Sequence, residues 1–306
     1  MISDKAPIAV FAYKRPEHLK RVLYALAANP GALESDLYVF SDAPKVVGDF
    51  EAVEAVRKVV NEVVGFKSVT KIFREKNLGL AGSITTGVSS LCNSHGRVIV
   101  VEDDLVVSPH FLGYMNDALL KYKNEKRVIS IHGYVYPVVA KDLPETFFIR
   151  GADCWGWATW QRGWEIYEPN GELLRDKIQK AGLEREFDFD GSYAYMKMLS
   201  DQISGKNDSW AIRWYASAFL ADKLTLYPGR SLVTNIGADG SGTHVGSTTV
   251  FDIDFTEDKV LVENIPLQEH HKARQIFAHY FRAITPTLLR RFKSRIVNLI
   301  HSNPYV

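Results

Sequence analysis

The chain is poor in cysteine, has no long apolar run and carries almost no net charge. Its 306 residues include only Cys92 and Cys154, too few for a disulfide framework, so a reducing, cytosolic compartment is expected. The N-terminal MISDKAPIAVFAYKRP has no basic region followed by an apolar stretch and a cleavage site, so no secretory leader is expected. No apolar run approaches the roughly 20 residues that cross a bilayer as a helix. Membrane contact is therefore expected to be peripheral at most, at the inner face. Lys and Arg number 37 against 36 Asp and Glu, which gives no chain-wide basic field and no expectation of a nucleic-acid partner. The charges are nonetheless uneven. From His270 onward there are seven Lys or Arg and no acid.

At 46% hydrophobic content the chain can bury a substantial core. Short β-like runs alternate with helical stretches in the first third: Ile8–Tyr13, a helix from Pro16, Leu37–Ser41, a helix over 50–65, Lys71–Phe73, a helix over 80–93, then Val98–Val101. That rhythm predicts an α/β fold with a mostly parallel sheet covered by helices. Val98-Ile99-Val100-Val101 is uniformly apolar and β-branched, as suits a central strand covered on both faces. After the Val128–His132 strand the alternation fades into an aromatic region over 153–164. The pattern then predicts helices over 171–182, 192–204 and 209–222, and short strands around Thr225–Tyr227 and Leu232–Asn235. The expected organisation is an α/β half over 1–125, a second half of the same domain over 126–250, and a basic helical tail over 251–306.

The strongest local signal is VIVVEDDLVVSP, residues 98–109, where Glu102, Asp103 and Asp104 interrupt two apolar runs. Neighbouring carboxylates repel one another, and burying even one without a partner is costly. Solvent can resolve that conflict, as in any acidic turn, and so can a divalent cation. Carboxylate oxygens suit Mg²⁺ or Mn²⁺, usually as one or two carboxylates plus substrate phosphates.

The segment VEDDLVVSPHFLGYM resembles the glycosyltransferases of the GT-A fold, and more closely the N-acetylglucosaminyltransferase I type, where an apolar strand ends in Glu-Asp-Asp. The resemblance covers roughly residues 6–245 in motif order. It implies a GT-A (Rossmann-like) domain whose 1–125 half binds a nucleotide-sugar donor, a UDP-sugar, and whose 126–250 half is the acceptor side, with hexosyl or N-acetylhexosaminyl transfer and inversion. The implied acceptor is a growing polysaccharide or a lipid-linked saccharide. Asp104 is the implied contact to Mn²⁺ or Mg²⁺, Asp103 faces the sugar or ribose, and Glu102 supports the pair.

Further resemblances assign roles to other residues. PIAVFAYKRPEHL looks like the family's first strand and basic nucleotide-contacting turn, with Arg15 the implied ligand; an exposed basic turn is the plainer reading. Asp42 implies a contact to the base, though an Asp after a strand is commonly a turn cap. Asn77 and Gly79, in NLGLAGS, match an Asn-x-Gly segment beside the nucleotide-sugar, or simply a Gly-rich helix entry. Four of the six Trp fall in residues 154–164. Indole faces suit sugar C–H surfaces, which makes Trp155 and Asp153 candidates for sugar contact and Trp157 the match to a Gly-Trp donor loop. The spacing of Trp157, Trp160 and Trp164 equally fits the buried face of a helix.

Asp208, before Trp210, is the implied catalytic base, with Trp210 beside it on the acceptor side; here the chain departs from the family's Asp-Asp-Trp by placing Ser209 second. The alternative for Asp208 is an N-cap. An indole neighbour is expected to desolvate the carboxylate and make it a better proton acceptor. His244, in a Gly-rich loop, is a second candidate for metal or diphosphate. The tail from His270 mixes apolar residues with its seven cations, a pattern that suits either docking on anionic lipid or packing on protein. Two other function classes remain open: a nucleotidyltransferase acting on sugar phosphates, whose glycine-rich phosphate loop FAYKRPEHL lacks, and a non-catalytic carbohydrate-binding relative.

Overall fold

The structure is a computed structural model and describes residues 5–240 and 248–285. In its first third, β1 (Ile8–Ala12), α1 (Pro16–Ala27), β2 (Asp36–Ser41), α2 (Phe50–Glu62), β3 (Ser68–Phe73), α3 (Gly79–His95) and β4 (Arg97–Glu102) follow one another in strict alternation. Next come β5 (Leu105–Val107), α4 (Phe111–Lys121), β6 (Val128–His132), β7 (Thr146–Arg150), β8 (Trp157–Trp160) and α5 (Gln161–Trp164). The remaining elements are α6 (Gly171–Lys180), α7 (Glu184–Phe187), α8 (Tyr195–Ile203), α9 (Trp210–Leu220), β9 (Leu224–Pro228), β10 (Val233–Asn235) and α10 (His271–Ile284).

Eight strands form one sheet in the order β3-β2-β1-β4-β8-β6-β9-β7. The expected α/β class holds, but only half of the sheet is uniformly parallel. β3, β2, β1 and β4 all run the same way, whereas β8 is antiparallel to both β4 and β6, and β7 is antiparallel to β9. The chain steps outward from β1 to β2 and β3, then returns to place β4 on the other side of β1. Such a reversal leaves a crevice outside the carboxyl ends of the two central strands.

Side-chain alternation fills two cores. Ile8, Val10, Ile99 and Val101 point to the face covered by α1, α2 and α4, while Ala9, Phe11, Val98 and Val100 meet α3 and α9 on the other. Val98 through Val101 are fully buried, as a central strand covered on both faces requires. α6 to α9 form a third cluster around Phe187, Leu199 and Phe219, and α10 packs Phe277 and Phe281 against Phe147, Ile149 and Tyr227.

The tryptophan-rich segment corrects the helical reading of its spacing. Trp157 to Trp160 is a strand between β4 and β6, and a helix starts only at Gln161. Trp157 faces one core while Ala158 and Trp160 face the other, the two-residue period of a strand. A three-residue interval places two side chains on opposite faces of a strand but on one face of a helix, so spacing alone could not tell them apart.

The tail also differs from expectation. Residues 251–270 contain no helix; they run along the body as a strap, held where Tyr134, Ser108 and Tyr122 hydroxyls donate to the carbonyls of Phe251, Thr256 and Glu263. Phe277 and Phe281 of α10 are buried with Phe147, Ile149 and Tyr227, so that face of the helix packs on protein. Residues 286–306 lie outside the described residues. No described helix is long and apolar enough to cross a membrane.

Candidate functional site at the carboxyl edge of the sheet

One cavity of about 680 Å³ opens at the crevice between β1 and β4. It is reached by β1 through Tyr13 to Arg15, by β2 through Asp42, by β4 through Glu102 to Asp104, and by the entrances of α3 and α9. Eleven of the thirteen residues singled out in the sequence line it: Arg15, Asp42, Asn77, Gly79, Glu102, Asp103, Asp104, Asp153, Trp155, Asp208 and Trp210. Trp157 does not. It is fully buried, packed among Trp164, Trp210 and Trp214, which corrects its expected donor contact to a core role. His244 lies outside the described residues.

The acidic turn is built around Arg15. Its guanidinium donates to Asp103 Oδ1 and, at 2.8 Å, to Asp104 Oδ2, while the Tyr13 N–H donates to Asp103 Oδ2 at 3.2 Å. Pro16 opens α1 directly after Arg15; its fixed φ suits a first helical position and turns the chain at the strand end. Burial dominates the titration of the turn. Loss of hydration pushes Asp103 above the ordinary carboxylate range against the opposing pull of Arg15. Glu102 is raised as well, by burial first and by the charges of Asp104 and Asp103 next. One guanidinium faces three carboxyl groups, an excess of acid over cation whose ionisation a further cation would favour.

That excess suits a divalent cation, and the donor set is all oxygen. Among the described residues no three metal-ligating side chains stand grouped as a ready cage. An ion held here would take Asp104 as one ligand and would need further oxygens from elsewhere to complete its shell. β10 pairs with β5 and brings Asn235 beside Leu105. Ile236 N–H donates to the Asp104 carbonyl at 2.8 Å, and a Cβ on Gly237 would collide with the Asp104 carboxylate and come within 2.9 Å of Arg15 Nη1. Ile236 and Gly237 thus lie directly against the acidic turn.

The rim is rigidified by side chain to backbone bonds. Asp42 accepts from Leu78 N–H at 3.0 Å and Ala43 N–H at 2.9 Å, so its carboxylate caps the turn before α3 although it borders the cavity. Asn77 donates to the Ala43 carbonyl at 2.6 Å and accepts from Gly79 N–H at 3.2 Å. Gly79 sits at φ +68°, a left-handed conformation, and its missing Cβ would lie 3.6 Å from Asp208 Oδ2. Lys14 reaches Asp49 at 2.9 Å, and the Tyr13 hydroxyl donates to the same carboxylate.

Asp208 is not the N-cap of α9. Ser209 is, its hydroxyl accepting from Ile212 N–H at 3.2 Å. Asp208 is left 63% exposed, with Arg213 3.8 Å away. The expected desolvation by the neighbouring indole is absent, because Trp210 turns into the core and stacks on Trp157. An open carboxylate facing the cleft remains.

The far wall was not read from the sequence. Tyr134, Tyr136, Tyr193, Tyr195, Tyr227, Phe277 and Phe281 line it, and Asp153 sits among the first of these with Tyr136 donating to its Oδ2 at 2.9 Å. They come from four separate segments, so no single local motif announced them; the Tyr134-x-Tyr136 and Tyr193-x-Tyr195 intervals were the visible local signals.

No protein-family model matches the chain, and no curated protein matches it. Among solved structures it is similar to S. aureus TarS at 15% identity and TM-score 0.29, over 42% of this chain and 21% of that one. It is similar to the mannosyltransferase PcManGT from Pyrobaculum calidifontis, in complex with GDP-Man and Mn²⁺, at 12% identity and TM-score 0.34, over 58% and 46%. It is also similar to a UDP-glucose pyrophosphorylase complexed with UDP-glucose at 12% identity and TM-score 0.36, over 73% and 90%. The chain thus spans less than half of the first two proteins, and at such scores the likeness carries no argument about function.

Proposed function

We propose that the chain transfers a sugar from a nucleotide-sugar, a UDP-sugar, to a hydroxyl of a saccharide or lipid-linked saccharide, as a GT-A hexosyl- or N-acetylhexosaminyltransferase. One observation supports this reading above others: Arg15, the Glu102-Asp103-Asp104 turn and the open carboxylate of Asp208 converge on one cavity at the sheet's switch point. Asp104 would hold a divalent ion, Mn²⁺ or Mg²⁺, which when bound would supply neutralising charge to a diphosphate leaving group.

The chain's own residues do the rest. Arg15 presents a guanidinium that phosphate oxygens can take over from the carboxylates, and Asp42 and Asn77 fix the turn that enters α3. Asp208 accepts the proton of the acceptor hydroxyl as its oxygen bonds to the anomeric carbon, and the bond from that carbon to the diphosphate breaks. A single displacement from the opposite face inverts the anomeric configuration.

The test is direct. Calorimetric titration of the full chain with UDP and Mn²⁺ is expected to show metal-dependent binding, and incubation with UDP-sugars to release UDP slowly. Asp104→Ala should lose both. UDP binding that persists unchanged in this variant sinks the assignment, and release of pyrophosphate from UTP and a sugar phosphate points to a nucleotidyltransferase instead.

A further inference from the structure

On its far side the cavity forms an aromatic chamber lined by Tyr136, Tyr193, Tyr195, Tyr227, Phe277 and Phe281. Asp153 lines it too. Its Oδ2 accepts from the hydroxyls of Tyr136 at 2.9 Å and Tyr227 at 3.2 Å, and its Oδ1 accepts from Cys154 N–H at 2.8 Å. All three donors are neutral. The imidazole of His132 lies 3.9 Å away, but it is fully buried, burial lowers its proton affinity, and its Nε2 accepts the Trp155 N–H at 3.1 Å.

The arginines on this side are committed elsewhere. Arg150 bonds Glu186 at 2.7 Å and lies over Phe219, and Arg274 bonds Asp190 and Glu269 and lies over Phe189. The charge of Asp153 is felt around the chamber, where it adds to burial in raising the phenols of Tyr136, Tyr193, Tyr195 and Tyr227. A carboxylate with no cationic partner among the described residues thus stands amid tyrosines, whose ring faces are electron-rich. An anionic ligand is repelled here, and a neutral hydroxyl leaves the charge unanswered. An ammonium answers the carboxylate and the rings together.

We propose that the chamber binds the ammonium of an amine-bearing acceptor, such as a saccharide with a free amino group, with Asp153 as counter-ion and the tyrosine rings as its cage. It deepens the transferase reading by naming the acceptor class, and depends on that reading only for the word acceptor.

The probe is a methyl glucosaminide with a free amine, titrated into the full chain by calorimetry beside the neutral methyl glucoside, without nucleotide or metal and at a pH where the amine is protonated. The amine is expected to bind about ten- to a hundredfold more tightly, the range of a charge-assisted contact. Asp153→Asn, still able to accept the tyrosine hydroxyls, should remove that preference and leave the glucoside unchanged. Tyr193→Leu removes one cage ring without touching Asp153 and should weaken the amine about fivefold. Equal binding of the two sugars to the unaltered chain overturns the proposal, as does an Asp153→Asn variant that folds and keeps the preference. If UDP and Mn²⁺ fail to bind while the amine preference persists, the transferase reading falls and the chamber stands.

Discussion

The two ends of the cavity handle buried charge in opposite ways. At the donor end, carboxylates on β4 are answered by a guanidinium from the turn after β1, with Asp103 only 6% and Arg15 18% exposed in their side chains. At the far end Asp153 is answered only by hydroxyls and an amide. The first arrangement readily exchanges one ion for another, because a guanidinium that holds two carboxylates can release them to a metal and turn to phosphate. The second is shaped for something rigid and ring-bound, since aromatic walls supply area at little entropic cost. Parallel strands explain the contrast: three of them deliver polar turns to one edge, while the mixed half brings in side chains from distant segments.

The largest effect expected on this comparison is at the carboxylate between the two ends. Asp208→Asn should cut sugar transfer by about 10²–10⁴-fold, the range for a general base, while UDP binding stays near that of the unaltered chain; a loss of UDP affinity instead would move Asp208 to the donor end. Next is the pair of indoles that the sequence placed together. Trp157→Ala should cost about 3–5 kcal/mol of stability in urea unfolding, whereas Trp155→Ala, at the cavity wall, should cost much less. Comparable losses would contradict the division between core and cleft. Gly237→Ala is milder: its methyl group must displace the Asp104 carboxylate or Arg15, and UDP affinity measured by calorimetry should fall about tenfold, on the order of 1.4 kcal/mol.

The smallest effect concerns pH. The Tyr13 hydroxyl and the Lys14 ammonium hold Asp49 down to about 2. A depressed carboxylate favours the folded state above its unfolded value of about 3.9, and that contribution disappears as pH falls through the folded value. Tyr13→Phe should therefore make acid unfolding less steep between about pH 4 and pH 2. An identical acid transition in the variant would show that the hydroxyl does not hold the charge.

Much of the donor end was legible because its residues are local. A β-branched run followed by three acids fixes both a central strand and what emerges from its end, and Arg15 follows its own strand directly. The helices over 171–180, 195–203 and 210–220 also lie where their periodicity predicted. The tryptophans over 155–164 were less legible, since a strand followed by a short helix reproduces helical intervals by chance. Asp208 was misjudged in one respect: Ser209 takes the cap, and the direction of Trp210 into the core leaves the carboxylate hydrated.

By itself the sequence determined the alternation of strands and helices, the acidic turn and its place at a strand's carboxyl end, because each depends on neighbours within a few residues. Only the tertiary structure decided that Arg15 closes on Asp103 and Asp104, that Trp157 belongs to the core while Trp155 does not, and that tyrosines from three segments surround Asp153. Those outcomes depend on which faces meet when the sheet assembles, and long-range packing leaves no fixed interval along the chain to read.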